Sequence, residues 1–199
     1  MFQVLKMRAK KEKVELPKAG TLSKEIDDSK RHRQSYTKIW DLCSLFLQGK
    51  QHIRWNKNVQ SYITIPEDRY KTRVTVNMIL NIYRNILARL TIAYPSLTVM
   101  PSNPSTEDIE KAQASETLLR YYWHTENMKD TISSLLRWLL LTGNGVLHTF
   151  YDPDSEKVRT KAVSPYDILF EEGVTSPHEA KWVALRHIVV REDLEKAYP

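Results

Sequence analysis

The chain reads as an α+β fold, helix-rich with a small antiparallel β-sheet or hairpin, preceded by a basic N-terminal arm. Three observations predict this. Three segments in the middle of the chain place apolar residues at helical spacing. After Gly145 the texture becomes alternating, with "VLHTFYD" and "KVRTKAV" on either side of a "PDSE" turn, the pattern of a hairpin. The excess of positive charge lies at one end: residues 1–40 hold 11 Lys/Arg against 5 Asp/Glu, whereas residues 41–199 hold 19 of each.

Residues 1–20 read as a flexible arm, with Pro17 and Gly20 as breakers. Residues 21–73 read as an N-terminal helix and an irregular connector. Thr21 or Ser23 is placed to cap the helix, Ile26, Tyr36, Ile39, Trp40, Cys43, Phe46 and Leu47 form its apolar side, and Gly49 is placed to stop it. Residues 74–199 read as one α+β region. Within it, Val76–Tyr94 is the first strong helix, with Ile79, Ile82, Tyr83, Ile86 and Leu90 as its core stripe. "SLTVMPSNP" reads as a strand or polyproline segment. Ser105 and Asp108 have capping-box spacing for a second helix, whose stripe is Ile109, Ala112, Leu119 and Tyr122/Trp123. A third helix, Met128–Leu141, carries enough leucine to be central to the core. After the hairpin, "KWVALRHIVV" reads as another strand, and a helix opens at Glu192. The last helix is so short that the region reads as a truncated domain.

A length of 199 residues allows one domain with a core, or one domain with an arm. The composition, 41% hydrophobic and 27% charged, excludes a wholly disordered chain. Arg137 and Trp138 split the leucine run, so no segment reaches the roughly 20 apolar residues of a bilayer-spanning helix. The N-terminus is too polar for a signal-peptide core. One cysteine, Cys43, excludes an intrachain disulfide, suits a reducing compartment and reads as a small packed apolar residue.

Gly143-Asn144-Gly145 raises the question of a phosphate-binding loop. Such a loop runs strand, glycines, helix, so that free N–H groups at a helix start face the anion. Here a helix precedes and a strand comes after, and carbonyls face the turn. Gly143 therefore reads as a left-handed helix cap, Asn144 as a turn residue, and Gly145 as the point where the chain passes close to the helix. The histidines show no metal-ligand spacing, and His148 and His187 read as hydrogen-bonded strand residues. Ser164-Pro165-Tyr166-Asp167 reads as a turn, since the glycines of a nucleophile elbow are missing. The carboxylate pairs Asp152/Asp154 and Glu171/Glu172 read as solvated turn residues. No catalytic cluster, metal site or cofactor is predicted. The candidate contacts to a nucleic acid or acidic partner are Lys10, Lys11 and Lys13 in the arm and Lys30, Arg31 and Arg33 in the "KRHR" cluster. The competing reading of the arm is a solvated tail.

The order of pieces resembles the N-terminal half of a tailed-bacteriophage portal protein (head-to-tail connector) of the short-tailed-phage type. The resemblance covers about residues 35–199. It rests on "WDLCSLFLQGKQ", "VNMILNIYRNILARLTIAYPSLTVMPSNP", "DIEKAQASETLLRYYWHTENM", "LLTGNGVLHTFYDP", "KAVSPYDILFEEG" and "AKWVALRHIVVREDLEKAYP" in that order. It implies the wing region of a structural, non-enzymatic subunit, truncated before the stem, clip and crown. It also implies a ring, of twelve subunits in that family, at one capsid vertex, through which the genome is packaged and ejected. Its implied partners are further copies of itself, the major capsid protein, the terminase motor, the tail adaptor protein and double-stranded DNA without sequence specificity, with no membrane. Its implied location is the virion, and the host cytoplasm during assembly. The alternative is a stand-alone basic nucleic-acid-binding module, with a metal-dependent nuclease ranking last.

Overall fold

The computed structural model describes residues 2–5, 19–66, 70, 72–94, 97–153, 155–171, 173–174 and 179–192. The elements run β1 (Phe2–Leu5), α1 (Ala19–Leu47), β2 (Ile53–Asn56), β3 (Ser61–Thr64), α2 (Met78–Ile92), α3 (Thr106–Thr125), α4 (Met128–Thr142), β4 (Val146–Asp152), β5 (Lys157–Val163), β6 (Ile168–Phe170) and β7 (Val183–Arg186). The architecture is α+β. Its units do not match the boundaries read from the sequence. Residues 1–41 group with 164–199 as unit 1, and residues 42–163 form unit 2. None of the described helices is long and apolar enough to cross a membrane.

Unit 1 is built on an antiparallel sheet of order β1-β7-β6. β7 is flanked on both sides, so Val183, Ala184 and Leu185 are all buried. Ile26 of α1 joins Leu169, Trp182 and Ala184 in a buried cluster, with Leu22 one turn away packed against it. That packing explains why α1 starts at Ala19, before either expected cap, and carries Gly20 within it. Burial of an apolar face stabilises a helix more than one glycine destabilises it. The flexible-arm reading fails for Phe2–Leu5, which pair with β7 in a register from Phe2↔Arg186 to Leu5↔Val183. His187 lies beyond the last residue of β7, so its strand assignment is also corrected. The helix expected from Glu192 lies almost wholly outside the described residues.

In unit 2, α1 ends at Leu47, and Gly49, with φ +82°, stops it as the sequence implied. The connector expected to be irregular contains the β2–β3 hairpin. Trp55 and Tyr62 lie directly opposite each other, with ring centroids 5.0 Å apart and an edge-to-face angle of 73°. Such a pair adds about 0.5–1.5 kcal/mol beyond its burial. The Asn56 side chain accepts from the Asn58 N–H and shapes the turn. Asn77 then closes two helix ends at once. Its Nδ2 donates to the Leu47 carbonyl at the end of α1, and its Oδ1 accepts from the Leu80 N–H at the start of α2.

α4 packs against α2, α3 and β5, so its central position is as expected. Its leucines are only half-buried, however, and Leu139 is exposed. The expected core stripe of α2 is corrected more sharply. Of that stripe only Tyr83 is sheltered, with Leu80 and Leu87 beside it, while Ile79, Ile82, Ile86 and Leu90 are 41–56% exposed. No residue of α2 is buried. Cys43 is exposed too, not packed, and residues 97–101 carry no strand. The Ser105 cap of α3 forms, its Oγ accepting from the Asp108 N–H. The Asp108 carboxylate does not complete a capping box, because it accepts from Asn103 Nδ2 instead.

Candidate functional site

The feature of the described residues that gathers the most polar side chains is the turn Ser164–Asp167, held by a clamp from α1. The sequence makes the turn locally. Pro165 fixes its own φ, and the Asp167 N–H closes on the Ser164 carbonyl at 2.9 Å. The Ser164 hydroxyl accepts from the Tyr166 N–H. α1 then presents Arg33, Trp40 and Asp41. Arg33 donates through Nη1 to the carbonyls of Pro165 and Ile168, and through Nη2 to the Tyr166 carbonyl at 3.1 Å. Its guanidinium also sits 5.6 Å from the Trp40 ring centroid. Trp40 meets Tyr166 edge-to-face at 5.2 Å, and the Tyr166 hydroxyl donates to Asp41 Oδ1 at 3.0 Å. On the other side, Arg186 pairs with the Asp167 carboxylate, and the Ser29 hydroxyl donates to the Phe170 carbonyl.

Burial lowers the Arg33 pKa from its ordinary value by stripping water from the charge, and the nearby Arg186 adds to the effect. The group stays a cation, and its Nη atoms spend that charge on backbone carbonyls. Arg33 Nε is buried without an acceptor. A planar fork with several donors suits this task, and a lysine would not reproduce it. The clamp orients a turn and the strand after it.

Arg33 is therefore corrected as a candidate partner contact, since its guanidinium is committed inside unit 1. Lys30 and Arg31 are exposed but paired within α1, to Asp27 and Asp28 respectively. The cluster is basic in sequence and locally neutralised in space. Lys10, Lys11 and Lys13 lie outside the described residues, as do Asp154 and Glu172. Asp152 pairs with Arg159, and Glu171 with Lys181. Among the described residues no three His, Cys, Asp or Glu side chains come together in a metal-binding arrangement. His148, in β4, stacks on Phe150 at 5.0 Å.

The glycine step has the predicted geometry. Gly143 takes φ +78° and its N–H bonds the Leu139 carbonyl at 2.9 Å. A Cβ on Gly145 would lie 2.8 Å from Leu135 Cδ1. Sequence reasoning missed Thr142, which is buried, with Oγ1 2.9 Å from the Trp138 carbonyl and accepting from the Asn144 N–H. Its signal was a threonine just before the cap, where a hydroxyl can reach back one turn. The partners of Arg33 had no local signal at all.

No family model matches this chain, and no curated protein matches it in sequence.

Proposed function

We propose that the chain is a structural subunit of a viral portal ring, the conduit for genome packaging and ejection at a capsid vertex. The order of sequence pieces that resembles a portal wing motivates the reading. The observation that carries it is the amount of large apolar surface left uncovered. On α2, Ile79, Ile82, Ile86 and Leu90 are exposed; on the β4–β5 hairpin, Leu147, Tyr151 and Val158; and after β7, Ile188, Val189 and Val190. Scattered apolar residues on a surface are ordinary, but stripes of them mark contacts. A subunit that buries these stripes against copies of itself makes a ring when the contact is head-to-tail and the rotation closes.

On this reading, other copies of the chain, the capsid shell, the terminase motor, the tail adaptor and duplex DNA are its partners, and the virion is its location. Its work is geometric: the ring sets the width of the passage. The basic arm is assigned to an anionic partner. Replacing Lys10, Lys11 and Lys13 by Gln tests that assignment without removing β1, and salt-dependent DNA binding should weaken.

The main test is negative-stain microscopy with sedimentation velocity on the full-length protein. A closed ring of one size is expected. A monomer at all concentrations would overturn the proposal.

A further inference from the structure

Resting on that ring reading, we infer that α2 of one copy packs antiparallel against the outward face of α3 in the next copy. The two helices carry complementary stripes. On α2, Ile79, Ile82, Ile86 and Leu90 have the spacing of one helix face and are all exposed. Arg89 flanks this stripe near the C-terminal end, and α2 contains no acidic residue.

On α3, Ala112 is buried and Trp123 half-buried on one side. The opposite side carries Glu107, Glu110, Ala114, Leu118, Tyr121 and Thr125, all exposed and again at one-face spacing. Leu118 and Tyr121 are 55% and 60% exposed. This face is acidic at its N-terminal end, small in the middle and apolar at its C-terminal end. Glu107 is held by Lys111, which leaves Glu110 as the acid without an ion pair among the described residues.

Only the antiparallel arrangement matches these gradients. Arg89 to Ile82 spans about 10.5 Å of helix and Glu110 to Leu118 about 12 Å, at 1.5 Å per residue. Arg89 then meets Glu110, Ile86 lies over Ala114, and Ile82 and Ile79 meet Leu118 and Tyr121. The small Ala114 lets the helices approach closely. A parallel arrangement would press isoleucines onto Glu107 and Glu110 and bury carboxylates without partners. The contact uses different faces of the two copies, so it is head-to-tail, as a ring requires. A membrane surface fits α2 less well, because its polar face sets one cation, Arg84, between Asn81 and Asn85, where an interfacial helix is rich in Lys and Arg.

The test uses the full-length chain and reads the protein concentration at which assembly is half complete. Ile82→Asp with Ile86→Asp should abolish the ring and leave the circular dichroism spectrum unchanged. Arg89→Glu and Glu110→Lys should each raise the half-assembly concentration about tenfold, a rim-to-core charge-pair effect, with recovery in the double swap. Rings that persist in the double aspartate variant would overturn the helix pairing while leaving the ring reading intact. Binding to anionic vesicles that requires Ile82 and Ile86, with assembly unaffected, would also overturn the pairing. A wild-type protein that never assembles would remove both.

Discussion

Unit 1 and unit 2 differ in how they satisfy their own surfaces. Unit 1 encloses a cluster in which Leu169 is 2% exposed and Ala184 is fully buried. It turns a half-buried arginine, Arg33, onto three of its own carbonyls. Unit 2 is larger, yet among its described residues only Ala112 and Thr142 are buried. Asn77 and Ser105 cap α2 and α3, its hairpins are in register, and its apolar side chains remain half in water. Good local geometry and a closed core are separate achievements. Unit 1 has the second, whereas unit 2 has the first and leaves apolar faces for contacts outside itself.

The contrast can be broken by substitution. Leu169→Ala should cost about 2–5 kcal/mol, because it opens a cavity where the surroundings are already packed. Urea denaturation monitored by Trp182 and Trp40 fluorescence measures it, and a loss below about 1 kcal/mol would show that the unit 1 cluster is not a true core. Arg33→Met should cost about 2–3 kcal/mol, since three carbonyls lose a charged donor. Arg33→Lys should recover less than half of that loss, a comparison that thermal melts can resolve.

Gly145→Ala should cost about 1–2 kcal/mol, since the new methyl collides with Leu135. A second change, Leu135→Ala, should relieve the collision, so the two effects should not add. Ile86→Ser on α2 should fall within about 0.5 kcal/mol of wild type in conditions that keep the chain dispersed, as expected at an exposed position. A large loss there would erase the distinction between the units.

The smallest effect concerns acid. The backbone N–H and side chain of Lys181 hold the Glu171 carboxyl below its ordinary pKa. A depressed folded value means the ionised form is favoured by folding. That contribution is present above the ordinary carboxylate range and is lost as pH falls through the depressed value. Glu171→Gln should flatten this part of the stability-versus-pH curve, with its small loss of stability seen near pH 7 and vanishing below the depressed value.

The features legible in the sequence were local. The Ser105 cap, the Gly143–Asn144–Gly145 step and the Ser164–Asp167 turn each depend on residues within a few positions of one another, and the β4–β5 hairpin joins strands adjacent in the chain. The α2 stripe was misread for a definable reason. Leu80 and Leu87 join Tyr83, which the stripe included, in a second apolar row beside Ile79, Ile82, Ile86 and Leu90, and periodicity cannot say which row meets α4. Arg33 was misread because its acceptors lie 132–135 residues away. In a linear reading it is one more cation in "KRHR". The β2–β3 hairpin was missed because each strand is four residues long and its turn contains no glycine.

The pairing of Phe2 with Arg186 has a consequence for biosynthesis. Residues 42–163 are continuous, so they can acquire their turns and hairpins while the ribosome is still translating the remainder of the chain. The opening strand must wait for β7 to leave the exit tunnel before its ladder can zip. During that interval Ile26 and Leu22 have no sheet to lie on, and a holdase chaperone would find them there. Slowing translation after residue 163 should therefore lengthen the window in which nascent chains are captured by such a chaperone or cut by protease near α1.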